Sequence, residues 1–210
     1  IDEAACEGCG ACEIACPAEA IESWDAVNGK WFVSKTRFGP MSHAILGYAE
    51  ENSGRLVSLV RDMASDIAMA SSSAHGLSSN RSSVIIDGSP GTGCPVIASV
   101  SGAHYAVIVT EPTVSGLHDL LRVFELTRHF RVPCGVIVNK SDLNEDMTQR
   151  IRDAAQEAGA RFLGTVPYDN AFTEAQIQRK TLLEHGGGPA AEAVLTIWDK
   201  LSEGVCDQKA

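Results

Sequence analysis

The chain has 210 residues, enough for one good domain and a small appendage. Its hydrophobic share of 44% is that of an ordinary globular protein, and its net charge of −10 argues against nucleic acid or an anionic membrane as partner, since both attract basic surfaces. No apolar run approaches the ~18 residues of a membrane span, no secretory signal is recognisable, and seven cysteines, four of them in one short motif, point to a reducing cytoplasm rather than a disulfide scaffold.

The first element is that motif, "CEGCGACEIACP" from Cys6 to Pro17. Its C-x2-C-x2-C-x3-C-P spacing is the pattern that holds iron–sulfur clusters. The chain opens on Ile1 rather than Met, with five residues before the motif, and is expected to lack its true start. Residues 18–35 predict a small hairpin, "AIESW" and "KWFVSK" joined at Asn28-Gly29, with Trp24 and Trp31 facing each other across it. Residues 36–54 read as loop. "RLVSLVRDMASDIAMA" predicts a helix, with Leu56, Leu59, Val60, Met63 and Ile67 on one face. The Ser-rich run from 71 to 83 predicts a mobile loop.

From residue 84 the pattern alternates. Strands are predicted at "SVIIDG", "YAVIVTEP", "CGVIVNK" and "RFLGTVPY", with helices between and after them. Leu117, Leu120, Leu121 and Phe124 face inward on one helix, and Met147, Ile151, Ala154, Ala155 and Ala158 on the next. Strands apolar along most of their length predict a parallel sheet covered on both faces, a three-layer αβα architecture with function in loops at the C-terminal strand ends.

Those loops hold the residues that suit nucleotide chemistry. Asp87 ends the first strand and precedes "GSPGTGCP". A carboxylate there suits a magnesium ion, and glycines let backbone N–H groups approach a phosphate; a solvated Asp in a strand-end turn is the alternative. "NKSD", Asn139 to Asp142, matches the N-K-x-D pattern of purine recognition: Asn139 meets the base edge, Lys140 lies along the ring, and Asp142 would accept two hydrogen bonds from guanine. The structural alternative has Asn139 capping the loop and Asp142 capping the next helix. Thr113 or Ser115 is expected to cap the helix after the second strand. Cys94 is expected to be a small packed residue, and Cys134 to belong to the core.

The order "VIIDGSPGTGCP", "VTEPTVSGLHDL", "VIVNKSDLN" and "VPYDN" resembles the MinD/Mrp/ParA group of P-loop ATPases, and with the Cys motif it resembles the subgroup carrying an inserted 4Fe–4S ferredoxin domain. That resemblance implies a ferredoxin-type segment over 1–35 and the C-terminal part of a nucleotide-binding domain over 36–210. It implies that Asp87 is the Walker B-type acid, that Gly88 to Gly93, with Gly91 between, form the switch sensing the γ-phosphate, that Asn139 contacts adenine, and that Pro167 and Asp169 flank the base. It implies 4Fe–4S, ATP and Mg²⁺ as cofactors, a homodimer with nucleotide between subunits, and a redox or metal-cluster protein as partner. No G-x-x-x-x-G-K-[ST] occurs in the chain, so the phosphate loop and a first Cys motif are expected upstream. By two-cluster logic, Cys6, Cys9 and Cys12 are three corners of one cluster and Cys16 serves another: half a site. A single four-Cys cluster and a zinc site are the alternatives. The function implied is an ATPase coupling nucleotide to electron transfer or to cluster or metal delivery. Its rivals are an electron-transfer protein on a non-hydrolysing nucleotide scaffold and a GTPase.

Overall fold

The structure is a computed structural model that describes residues 6, 9–24, 27, 29–47, 54–74 and 83–206, with the side chains of 71–74 and 204–206 set aside. The chain divides into two compact units, Ile1–Ser99 and Val100–Ala210.

In the first unit a short helix, α1 (Ala11–Ala15), lies inside the Cys motif. Gly10 precedes it at φ 72°, a left-handed backbone that glycine adopts without strain. The hairpin is displaced from its predicted place. β1 (Gly29–Thr36) pairs antiparallel with β2 (Gly39–Leu46), so the turn falls at Arg37-Phe38. Asn28 lies outside the described residues, as do 75–82, where most of the predicted mobile loop falls. The turn is made by chemistry that the loop-like composition obscured. The Thr36 hydroxyl donates to the Gly39 carbonyl at 2.7 Å and accepts from the Phe38 N–H at 3.1 Å, while Gly39 takes φ 127°. Trp31 therefore faces Ala44 rather than Trp24, which is 78% exposed.

Helix α2 (Gly54–Ala74) packs against β2. Leu56, Val60, Met63 and Ile67 are half-buried on it as predicted, whereas Leu59 is exposed. The run Val84-Ile85-Ile86 departs from expectation. Residues 83–89 form no strand, and Val84 and Ile85 are exposed. β-branched residues favour extended backbone, but a strand exists only as a ladder with a neighbour, and here none of the described residues supplies one. The glycine-rich turn then leads into α3 (Cys94–Val100).

The second unit is the α/β part. β3 (Ala106–Thr110), β4 (Cys134–Asn139) and β5 (Arg161–Val166) form a parallel sheet in that order. On one face α4 (Val114–His129) and α5 (Glu145–Glu157) bury Leu120, Phe124, Met147, Ile151 and Ala155 against Val136 and Val138. On the other face α8 (Pro189–Cys206) packs Ala190, Ala191 and Ile197 on Leu163 and Val166. Two short helices, α6 (Ala171–Ile177) and α7 (Leu182–His185), link β5 to α8. This is the three-layer arrangement, with one correction. Val107 and Val109 of the edge strand β3 are exposed, because α8 covers β5 and Ile137 and leaves that side of β3 open. Leu121 of α4 is exposed as well, while Thr127 takes a buried place on the inner face.

Gly135 shows how tightly this sheet is packed. A Cβ there would stand 2.6 Å from the Tyr105 hydroxyl and 2.7 Å from Leu163 Cδ1. Leu163 is fully buried and has nowhere to retreat. Gly135→Ala is expected to destabilise the chain by about 1–3 kcal/mol, the usual cost of overpacking, read as a lowered melting temperature.

Candidate functional site: a thiol motif and three strand-end loops

The four thiols of the motif are accessible: Cys6, Cys9 and Cys12 are exposed and Cys16 is half-buried. Among the described residues no three metal-binding side chains are drawn together at one point. Cys16 nonetheless has the surroundings of a ligand. It ends α1, and the Pro17-Ala18 turn folds the following backbone over its sulfur, which accepts from the Ala20 N–H at 3.4 Å. Backbone N–H groups, that of Ala20 first and then those of Ala18, Ile21 and Glu19, hold the Cys16 thiol below its ordinary pKa against a smaller desolvation effect. Such donors stabilise a thiolate, the form that binds metal, and the donor set fits an iron–sulfur group.

A test follows from the sign of that shift. A thiol with a depressed folded-state pKa ionises at lower pH when folded. The resulting stabilisation is present above the unfolded pKa and lost as pH falls. The pH midpoint of Cys16 alkylation, followed by peptide mass spectrometry, is expected to lie lower in the folded chain than in urea; equal midpoints would show that the N–H donors do not act on the sulfur.

Asp87 and Gly88 are exposed and lie in the first unit, outside any strand. Gly91 takes φ 88°, and the Gly93 carbonyl accepts from the N–H groups of Val96 and Ile97 to start α3. The Cys94 side chain is exposed, not packed as expected. Its backbone instead makes the contact: a Cβ on Gly54 would stand 3.0 Å from the Cys94 carbonyl, so the glycine lets α2 approach.

In the second unit, the loops after β3, β4 and β5 meet at the C-terminal edge of the sheet. Lys140 sits at φ 53° and its Nζ lies 2.7 Å from Glu111 Oε1, joining the first two loops. That hydrogen bond and charge hold the Lys140 ammonium above the ordinary lysine pKa. Asp142 Oδ1 accepts from the Tyr168 N–H at 2.6 Å and the Ser141 hydroxyl donates to the Val166 carbonyl at 3.4 Å, joining the second and third loops. Asp142 therefore does not cap α5; Asn144 does, accepting from the Met147 N–H at 3.0 Å. Thr113 caps α4, accepting from the Gly116 N–H at 2.9 Å. Asn139 ends β4 half-buried, and its side-chain amide has no hydrogen-bond partner among the described residues. Pro167 is half-buried, and Asp169 Oδ1 accepts from the Ala171 N–H at 2.9 Å, turning the chain into α6. Glu111 and Tyr168 are the residues that sequence reasoning missed. The acid at the end of β3 was a visible signal, whereas a backbone N–H partner 26 positions from Asp142 has none.

Cys134 packs at the edge of the core as expected. Burial pushes its thiol up, only partly offset by the Thr127 hydroxyl. The described residues contain no helix long and apolar enough to cross a membrane.

Residues 1–22 match the 4Fe-4S binding domain family. Among curated proteins, the chain is 29% identical to an uncharacterized protein of Methanocaldococcus jannaschii, over 57% of this chain and 39% of that one. It is 29% identical to the iron-sulfur cluster carrier protein of Pyrococcus abyssi, over 56% of this chain and 44% of that one. The chain thus spans less than half of the length of these relatives. Among solved structures, the cell division ATPase MinD of Pyrococcus furiosus superposes with a TM-score of 0.60 at 14% identity, covering 81% of this chain and 69% of that one. The septum site-determining protein MinD of Pyrococcus horikoshii, complexed with Mg-ADP, superposes with a TM-score of 0.54 at 16% identity, covering 75% and 60%. The chain therefore carries a segment that matches the 4Fe-4S binding domain family and has a fold similar to that of MinD.

Proposed function

We propose that this protein is an iron–sulfur P-loop ATPase in which ATP binding and hydrolysis govern delivery of a cluster, or of an electron, to a protein partner. Residues 1–35 act as the cluster segment and 36–210 as the nucleotide fold, with the β1–β2 hairpin running across the division. The observation that carries this reading is the presence, in one chain, of a Cys16 sulfur supplied with backbone donors and of a strand-end loop whose Asn139 amide is free for a base edge. The carrier name of the Pyrococcus abyssi relative favours delivery over simple electron transfer.

Each residue has a distinct task. Cys6, Cys9 and Cys12 hold three corners of one iron–sulfur group and Cys16 serves a second; such a group, when bound, supplies one-electron chemistry or is itself the cargo. Asn139 orients adenine, and Pro167 and Asp169 border it. Asp87 supports Mg²⁺ beside the γ-phosphate sensor of Gly88, Gly91 and Gly93. A homodimer encloses the nucleotide in a cytoplasmic protein. One contact bears on the GTPase rival. Asp142 Oδ1 already accepts from the Tyr168 N–H, the bond that ties its loop to the next, so a guanine would have to share that oxygen. The deciding experiment is cluster transfer from the reconstituted protein to an apo-ferredoxin, with and without Mg-ATP or Mg-GTP. Transfer indifferent to either nucleotide would leave the coupling without support.

A further inference from the structure

Away from the strand ends, the outer edge of β5 borders a cleft of about 450 Å³ between α5 and α8. Local sequence features build it. Val136 pairs with Phe162 but Ile137 pairs with Gly164, so Leu163 is an extra residue in β5. A bulge of this kind bends the strand and frees backbone groups from the ladder. The Leu163 carbonyl accepts from Lys200 Nζ at 3.2 Å. At Gly164 a Cβ would stand 2.8 Å from Ile197 Cγ1, so the missing side chain is what lets α8 approach the bulge. On the other wall the Arg152 guanidinium lies over the Phe162 ring, 4.6 Å from its centroid.

The charge in this cleft runs against that of the chain. The net charge is −10, yet two lining residues, Arg152 and Lys200, are cationic and none is acidic. Neither cation makes an ion pair among the described residues. The floor is apolar, from Phe162, Leu163 and Ile197. Held over Phe162, Arg152 has N–H donors to offer a planar bidentate acceptor. Lys200 keeps protons beyond the one given to Leu163. A solvated surface cluster would not need an apolar floor. An added β-strand is disfavoured too, because Lys200 already occupies a carbonyl of the free edge, a guard against strand pairing. The volume suits a small molecule, for which sites are typically about 300–1,000 Å³.

We infer that this cleft binds a small organic carboxylate with an apolar body, the carboxylate meeting Arg152 and Lys200 and the body lying on Phe162, Leu163 and Ile197. The probes are benzoate, its neutral analogue benzamide and inorganic phosphate, titrated into the 210-residue chain and followed by amide NMR. Benzoate is expected to bind saturably and shift Gly164, Thr165 and Thr196, with benzamide and phosphate each at least about tenfold weaker. R152Q and K200Q are each expected to weaken benzoate about tenfold or more. T196W, which fills the cleft from an exposed position and leaves both charges, is expected to abolish binding even if R152Q proves poorly folded. The inference is overturned if benzamide or phosphate binds as well as benzoate, or if benzoate binding survives in K200Q and T196W.

Discussion

Anaerobic reconstitution of the 210-residue chain is expected to load oxygen-labile iron at less than one full 4Fe–4S cluster per chain. The motif supplies three thiols at C-x2-C-x2-C spacing and a fourth behind a three-residue gap and before Pro17. In two-cluster proteins that fourth thiol reaches the other cluster. Cys16 ends α1 and its sulfur accepts from the Ala20 N–H, while Cys9 lies before the Gly10 turn. Three thiolates leave one corner to a weak external ligand, so oxygen and solvent reach the iron. Cys9→Ala is expected to remove bound iron and Cys16→Ala to leave its amount nearly unchanged, measured as iron and sulfide per chain with the visible thiolate-to-iron absorption. A stable full cluster that Cys16→Ala destroys would replace the half-site account with a single four-Cys site.

Magnesium-dependent ATP hydrolysis is expected to be absent from the same chain. Phosphoryl transfer is catalysed by positioning and by charge stabilisation, and enzymes gain at least about a millionfold from such effects. No G-x-x-x-x-G-K-[ST] is present to cradle the β- and γ-phosphates, and the "GSPGTG" turn carries no lysine. The strand-end loops of the second unit, bridged by Lys140–Glu111 and Asp142–Tyr168, are proposed to meet the base rather than the phosphates. In a form of the protein that includes a phosphate loop, Asp87→Asn is expected to fold normally, because Asp87 is exposed. Its turnover should fall about a hundredfold, on the scale of losing one charge-stabilising group. Turnover by the 210-residue chain itself, or an Asn variant with unchanged turnover, would show that the phosphate chemistry lies elsewhere.

What could be read from the sequence was set by locality. The 3.6-residue spacing of Met147, Ile151 and Ala155 marked α5, and the apolar run from Cys134 to Val138 marked β4, because each pattern meets its partners on the faces it dictates. Thr113 was legible as a cap because the bond it makes is three residues away. β2 was hidden by Gly39-Pro40, which look like loop residues yet begin a strand where the Thr36 hydroxyl closes the turn. Val84-Ile85-Ile86 misled in the opposite direction, having the residues of a strand and no described neighbour to pair with. The links that tie the loops of the second unit together, Glu111 to Lys140 and Asp142 to Tyr168, span 29 and 26 positions, so only the parallel order of β3, β4 and β5 creates them.

The coupling of nucleotide to cluster is tested most directly by the rate at which a reconstituted form of the protein containing the phosphate loop passes its cluster to an apo-ferredoxin. Mg-ATP is expected to change that rate several-fold, Mg-GTP to change it little, and Asp87→Asn to remove the nucleotide effect while cluster loading stays intact. A transfer rate that is the same with and without Mg-ATP, and the same in the Asn variant, would contradict the account.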